Sequence, residues 1–166
     1  MKRLSCLFHL LVLFLVGLDQ FSKTLIEKNI FLYQKIEVIP GLLNLTRIHN
    51  RGIIFGAFSN LHHPAGRIIL TLLSFVGLAV VIYFYLKTPV AEKMTKFSFS
   101  LILAGALGNL IDRVTRGYVV DFIDFHLGRY HWPYFNLADS FITVGGLGVI
   151  LLLFISGRKR ECCPSS

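Results

Sequence analysis

Four long apolar segments alternate with more polar stretches along the chain. They run from about Leu4 to Leu25, Ile68 to Leu86, Phe97 to Ile111 and Leu137 to Ser156. A helix needs about 20 mostly apolar residues to cross the ~30 Å hydrocarbon layer of a membrane. The third segment reaches that length only with its flanking residues, so we predict helices over about 4–25, 66–86, 95–113 and 138–157. The connecting segments of about 26–65 and 114–137 are then expected outside the membrane.

The first connecting segment has a different pattern from the helices. Apolar and polar residues alternate in "LLNLTRIHN", and the preceding Pro40–Gly41 pair is typical of a turn. We interpret this part as a small β-structured piece that lies on the membrane surface. The predicted fold class is therefore an all-α membrane protein with four transmembrane helices and a small extracytoplasmic β-structured insertion between helices 1 and 2. Residues 1–166 are expected to form a single integral membrane domain.

Composition and charge agree with a membrane protein. The chain is 54% hydrophobic with a mean hydropathy of +0.66, which is more apolar than soluble domains usually are. A formal net charge of +8 could suit nucleic acid, but the lysines and arginines are distributed as membrane topology requires. Eight of them crowd into three short segments on one side: Lys2, Arg3, Lys87, Lys93, Lys96, Arg158, Lys159 and Arg160. Both termini and the 87–96 loop are therefore predicted in the cytoplasm, and no nucleic-acid partner is expected.

Polar side chains interrupt the apolar runs at the predicted outer ends of the helices. Asp19 and Lys23 are four residues apart on one face of helix 1, and we interpret them as a structural ion pair. Asn109, Asp112 and Arg113 share a face near the end of helix 3. Ionisable groups are costly inside a membrane, so each of these residues is a candidate for function.

Two further aspartates raise the question of catalysis. Asp139 in "FNLADSFITVGG" opens helix 4, where it could simply cap the helix. Asp121 in "VVDFIDF" lies in the predicted outer connection, either solvated or partly buried by its apolar neighbours. Two carboxylates that share one proton can activate water and protonate a carbonyl oxygen, as amide hydrolysis requires. The spacing permits such a meeting at the membrane surface.

Other kinds of site fit the sequence less well. The chain has no HExxH motif, no glycine-rich phosphate loop and no GxSxG motif. The adjacent His62 and His63 stand beside Pro64, where an interfacial turn is the better interpretation because two histidines do not complete a metal site. We therefore expect no metal ligands. A small proton-coupled transporter that uses Asp19, Asp112 and Asp139 is the alternative function, although transport favours acids near the bilayer centre and inverted halves.

Five blocks, in order, resemble the lipoprotein signal peptidase (bacterial signal peptidase II) family. They are "DQFSK", "NRGIIFG", "GNLIDR", "VVDFIDF" and "FNLADSFI", and the resemblance extends over essentially the whole chain. It implies an aspartyl endopeptidase of the bacterial inner membrane that needs no cofactor. Such an enzyme cuts prolipoproteins on the N-terminal side of a diacylglyceryl-modified cysteine, with its active site at the extracytoplasmic face. Prolipoproteins and membrane lipid are then the expected partners, and we expect a monomer.

The resemblance also implies roles for individual residues. Asp121 and Asp139 match the catalytic pair, and Asp19 and Lys23 match a pair in helix 1. The positions that match the surrounding site are Asn50, Gly52, Asn109, Asp112, Arg113, Asn136 and Ala138. Asp124 is treated as non-catalytic. Ile54 departs from the family pattern, which often has a smaller residue there.

Overall fold

The computed structural model of the protein describes residues 2–51 and 64–161. Within these ranges the chain forms four long helices, α1 (Lys2–Asn29), α2 (Pro64–Lys87), α3 (Lys93–Thr115) and α4 (Leu137–Glu161). Each contains a stretch that is long and apolar enough to cross a membrane. The prediction of four spanning helices is confirmed, and every helix extends beyond its predicted range at both ends.

The extension of α1 has a clear cause in side-chain packing. Helix 1 was predicted to end near Leu25, but it continues to Asn29. Ile26 and Ile30, four residues apart, are buried in a small apolar cluster together with Val120 and Phe122 from the second connecting segment. The last turn of α1 therefore supports structure outside the predicted membrane span.

Helix α3 is the centre of the bundle and packs against the other three helices. Of its most apolar stretch 56% is buried, whereas the corresponding figure for α2 and for α4 is 11%. Glycines permit the close approach of α3 and α4. A Cβ atom at Gly145 would lie 2.6 Å from the carbonyl oxygen of Ser98, and one at Gly105 would overlap the carbonyl oxygen of Ala138. The two helices can pack this closely only because both positions lack a side chain.

The predicted β-structured insertion is present and belongs to a larger antiparallel sheet. Its strands β1 (Lys35–Ile39) and β2 (Leu43–Asn50) flank a turn in which Gly41 has a φ of 71°. The sheet continues with β3 (Val119–Leu127) and β4 (Tyr130–His131), in the order β1-β2-β3-β4. The second connecting segment was predicted only as an outer connection, so the sheet extends further than expected. Its β-branched and aromatic residues suit a strand that packs on α1.

The end of α3 determines where β3 begins. Gly117, with a φ of 77°, ends the helix, and its amide donates to the backbone oxygen of Asp112 at 3.1 Å. The side chain of Asp112 then accepts a hydrogen bond from the amide of Val120, with 3.2 Å between N and Oδ2. Val120 directly precedes Asp121, so this contact fixes the position of the candidate catalytic residue.

Candidate active site

Asp121 lies on β3 rather than in the loop that the sequence suggested, opposite Ile48 of β2. Its side chain is almost completely buried, with 2% exposed. One carboxylate oxygen, Oδ2, accepts a hydrogen bond from Asn50 Nδ2 at 2.8 Å. The other, Oδ1, accepts from Asn136 Nδ2 at 2.7 Å. Both oxygens are therefore held by side-chain amides, one from Asn50 at the end of β2 and one from Asn136 just before α4.

Asp139 stands in the first turn of α4 and takes part in a reciprocal cap with Asn136. The amide of Asp139 donates to Asn136 Oδ1 at 3.0 Å, and the amide of Asn136 donates to Asp139 Oδ2 at 3.2 Å. The capping role that the sequence left open is thus present at Oδ2. The other oxygen, Oδ1, accepts a hydrogen bond from Asn109 Nδ2 at 2.7 Å. Capping the helix and facing the site are therefore compatible for this residue.

Asn136 contacts both acids because the residue before it is attached to β3. The carbonyl oxygen of Phe135 accepts hydrogen bonds from the amides of Phe122 and Ile123 at 3.0 and 2.9 Å. This pairing brings the segment before α4 alongside the strand that carries Asp121. Asn136, fully buried, therefore lies between Asp121 and Asp139.

The surroundings of Asp121 change its acidity. The pKa of this carboxyl group is raised from 3.8 to about 7, chiefly by burial and next by the nearby charge of Asp139. The hydrogen bonds from Asn50 and Asn136 oppose this rise because they favour the ionised form. Asp121 therefore populates both its protonated and its ionised forms near neutral pH.

A buried ion-pair network lies directly behind the two acids. Lys23 Nζ is 2.8 Å from Asp19 Oδ2 and 3.0 Å from Asp112 Oδ2, and all three side chains are fully buried. The same ammonium group donates to Asn109 Oδ1 at 3.0 Å. Because Lys23 takes the oxygen of the Asn109 amide, the nitrogen of that amide is directed at Asp139. The helix 1 pair thus orients a residue of the site as well as joining helices.

Asp19 also connects α1 to the start of α4. Its Oδ1 accepts a hydrogen bond from the backbone amide of Ala138 at 3.0 Å, satisfying a free N–H group of the first helical turn. The fit is tight, since a Cβ atom at Gly108 would lie 2.5 Å from Asp19 Oδ2. Ala138 itself is completely buried. Small residues are therefore needed where α1, α3 and α4 meet behind the site.

Two residues of this network were missed by the sequence reasoning. Gln20 Nε2 donates to the carbonyl oxygen of Gly108 and to Asp112 Oδ1, both at 3.0 Å. Arg116 forms an ion pair with Asp112 and another with Glu27, the latter at 3.0 Å. Arg116 could have been found from its spacing, because it follows Asp112 by four residues and directly succeeds the last residue of α3. Gln20 had only its place beside Asp19 to indicate a role.

Arg113 faces a different environment from its neighbour Asp112. It lies beside a cavity of about 360 Å³ between α2, α3 and α4, together with Asn109 and Asp139. The rest of the lining is mostly apolar and includes Leu78, Val81, Ile102, Ala106 and Ile142. The cavity therefore combines an apolar wall with a polar end that contains one of the two candidate acids.

The structure brings together nearly all the residues named from the sequence. Asp121, Asp139 and Asn136 are in direct contact through hydrogen bonds, and Asn50 and Asn109 complete the set. Asp19, Lys23 and Asp112 form the layer behind them. Gly52, Ile54, His62 and His63 lie outside the described residues.

Comparison with known proteins identifies the family. Residues 11–155 match the family model described as signal peptidase (SPase) II. The chain is 40% identical to a lipoprotein signal peptidase of Francisella tularensis subsp. novicida over 152 residues, which is 92% of this chain and 94% of that protein. It is 45% identical to a lipoprotein signal peptidase of Desulforapulum autotrophicum over 133 residues, or 79% of this chain and 81% of that protein.

The fold agrees with a solved structure of the same kind. A bacterial membrane enzyme determined by the in meso method at 2.3 Å resolution superposes with a TM-score of 0.81 at 32% sequence identity. The match covers 96% of this chain and 94% of that one. The chain therefore belongs to the signal peptidase II family, whose members are membrane peptidases that remove signal peptides from prolipoproteins.

Proposed function

We propose that the protein is an aspartyl endopeptidase in which Asp121 and Asp139 share one proton and together activate a water molecule. The observation that carries this proposal is the position of Asn136, which forms hydrogen bonds with both acids. The raised pKa of Asp121, about 7, also supports it, because one protonated and one ionised carboxyl group are needed at neutral pH. The free enzyme then carries the shared proton mainly on Asp121.

The proposed reaction follows from this division of roles. The ionised carboxylate of Asp139 takes a proton from water as the water oxygen attacks the carbonyl carbon of the scissile peptide bond. The carboxyl group of Asp121 gives its proton to the carbonyl oxygen, so the tetrahedral intermediate is neutral. The C–N bond then breaks, the leaving nitrogen receives the proton held by Asp139, and Asp121 recovers its own from the intermediate hydroxyl group.

The buried ion-pair network behind the two acids supports this chemistry by holding side chains in position rather than by transferring protons. Asp19 and Asp112 share the cation of Lys23 inside the protein, and Arg116 also pairs with Asp112, so two positive charges compensate the two negative ones. Such an arrangement suits fixed ion pairs better than the proton path of a transporter. Lys23 and Asn109 instead hold the carboxylate of Asp139 in one orientation.

The substrate is proposed to be a prolipoprotein whose cysteine carries diacylglycerol, cut on the N-terminal side of that cysteine. The mostly apolar cavity that ends at Asn109, Arg113 and Asp139 suits a lipid-linked peptide at the boundary between lipid and water. The distribution of lysine and arginine favours cytoplasmic termini, and this supports a position of Asp121 and Asp139 at the extracytoplasmic face of the inner membrane. The network in one chain includes both acids, so a monomer is sufficient.

The catalytic assignment is tested by three isosteric substitutions. Asp121→Asn and Asp139→Asn are each expected to abolish cleavage of a lipid-modified prolipoprotein by purified, folded enzyme. Asp124→Asn is the matched control, since Asp124 is buried on the same strand but forms an ion pair with Lys35 at 2.9 Å, away from Asp139. Near-normal turnover by either of the first two variants would refute the assignment.

Lipid dependence and cleavage position are tested with paired substrates. The same precursor, with and without diacylglycerol on its cysteine, is incubated with wild-type enzyme, and product masses are measured. We expect only the modified form to be cut, immediately before the modified residue. Equal rates for the two forms, or a cut elsewhere, would contradict this part of the proposal.

A further inference from the structure

A second cluster of titratable side chains lies on β3 and β4, away from the residues of the proposed reaction. Asp124, His126 and His131 each offer one ligand atom, and these atoms lie within 4.8 Å of one another. Asp124 and His126 are two residues apart and so share one face of β3, while His131 is the cross-strand partner of His126. The two imidazole rings stack with 4.8 Å between centroids. The strand pairing itself therefore brings the three side chains together.

A buried atom in this cluster lacks a hydrogen-bond partner. His126 is only 9% exposed, and within the described part of the chain its Nδ1 has no partner. A buried polar atom that is left unpaired has lost its hydrogen bonds to water without replacement, so folded proteins contain few of them. A metal ion would supply a partner for a ring nitrogen of His126.

Asp124 has one oxygen on the side of the histidines. Its Oδ1 is 2.8 Å from His131 Nδ1, while Oδ2 is occupied by Lys35 at 2.9 Å and by Asn44 at 3.1 Å. A cation at Oδ1 would replace the proton shared with His131 and leave the contact of Asn44 with Oδ2 in place. The positive charge of Lys35, 2.9 Å from Oδ2, would repel a bound cation, and the Lys35 side chain is 46% exposed. The ammonium group can therefore move toward solvent when a cation binds.

We propose that Asp124, His126 and His131 form a binding site for a divalent transition metal, with Zn²⁺ the best match. Two imidazole nitrogens and one carboxylate oxygen are common zinc ligands, and a water molecule would complete the tetrahedron. Zinc lies about 2 Å from such atoms, so tetrahedral ligands are about 3.4 Å apart. His131 is exposed on the two-residue strand β4, and rotation of its side chain would close the remaining distance. The ion would join β3 to β4 and stabilise the sheet.

The test is a titration of full-length enzyme with Co²⁺, a spectroscopic substitute for Zn²⁺, after chelator treatment and without a histidine tag. Wild-type protein is expected to bind one equivalent, with visible absorption bands of tetrahedral Co²⁺ that Zn²⁺ displaces. Removing a residue that hydrogen-bonds to a metal ligand typically weakens metal binding by roughly 10–100-fold. His131→Ala and His126→Gln each remove a ligand itself, so Co²⁺ binding should weaken by at least that factor. His131→Ala changes an exposed residue, so it tests the site even if His126→Gln does not fold.

Three further variants complete the design. His9→Ala, in an exposed position on α1, and the double variant His62→Gln/His63→Gln are expected to bind Co²⁺ like wild type. Lys35→Met should bind it more tightly, because a competing positive charge is removed. Saturating Zn²⁺ should raise the melting temperature of wild type but not of His131→Ala. Absence of stoichiometric binding, unchanged binding by His131→Ala, or loss of binding in the His62/His63 variant would each overturn the assignment.

Discussion

Asn136 donates a hydrogen bond to Asp121 while its own side-chain oxygen caps the amide of Asp139, at 2.7 and 3.0 Å respectively. One amide group thus sets the relative position of the two carboxyl groups, although they are carried by a strand and a helix. Its nitrogen serves one acid and its oxygen serves the helix that carries the other. The two functions can be separated by substitution.

We predict that Asn136→Ser retains the helix cap but loses most activity. Serine supplies an N-cap oxygen of similar quality, yet it cannot reach Asp121 with a second donor. Because a preorganised donor at a reacting group is typically worth about 10²–10³ in rate, kcat should fall by about that factor with little change in KM. Ser140→Ala is the control, since the Ser140 hydroxyl group donates a hydrogen bond to the backbone oxygen of Asn136 at 3.0 Å rather than to its side chain. Equal activity of the two variants would show that the bridge is dispensable.

The pH dependence of cleavage should follow Asp121. Activity is expected to fall as pH rises through about 7, because the group that protonates the carbonyl oxygen is then ionised. Asn50→Ala removes a donor that favours the ionised form, so the alkaline midpoint should move to higher pH. Asn44→Ala, which removes a donor to Asp124 instead, should leave the midpoint unchanged.

The same pKa shift has a consequence for stability. The folded-state pKa of Asp121, about 7, lies above its ordinary value of 3.8, so the folded protein binds more protons than the unfolded chain between these values. The contribution of Asp121 to stability is therefore present at low pH and is lost as pH rises through about 7. In the cleavage assay, an alkaline midpoint that is the same for wild type and Asn50→Ala would show that the ionisation of Asp121 does not limit the reaction.

Removal of the buried ammonium group should be severely destabilising. Lys23→Met leaves Asp19 and Asp112 buried without their shared cation, which typically costs about 3–5 kcal/mol. Lys28→Met, at an exposed position on the same helix, should change stability by no more than about 0.5 kcal/mol. Denaturant unfolding in detergent measures both. An effect as small as that of Lys28→Met would contradict the structural role assigned to this ion pair.

Two adjacent glycines of α4 should respond oppositely to alanine. A Cβ atom at Gly145 would meet Ser98 and Ile102 of α3 at 2.6 and 2.7 Å, so Gly145→Ala must separate the helices. A Cβ atom at Gly146 meets nothing within 4 Å, so Gly146→Ala should be neutral or stabilising by up to about 1 kcal/mol. Thermal unfolding of the two variants distinguishes a packing role from a general need for flexibility. Similar melting temperatures would argue against the close contact.

The helices could be predicted because membrane crossing leaves a strong pattern in sequence. A long, mostly apolar segment has few alternatives to a membrane-spanning helix, and α2 begins at Pro64, two residues before the predicted start at 66. The strand β3 was not predicted because Asp121 and Asp124 interrupt its apolar pattern. Both acids are buried by contacts with distant residues, and a local pattern contains no information about such partners.

The candidate site could be predicted as a set of residues but not as an arrangement. Asp139 satisfies the pattern of a helix cap and of a reactive acid equally well, since its two oxygens serve different partners. The ion pair of Arg116 with Glu27 was overlooked because the two residues are far apart in sequence. Long-range pairs such as these are determined by the fold, and a single sequence does not reveal them.

The contact of Asp19 with the amide of Ala138 joins the first helix to the last across the centre of the molecule. During synthesis the first helix enters the bilayer long before the fourth has left the ribosome. Asp19 and Asp139 can therefore take their final positions only after insertion of the whole bundle. Under the proposed mechanism, a nascent chain that has inserted only three helices lacks Asp139, so cleavage requires assembly of all four helices.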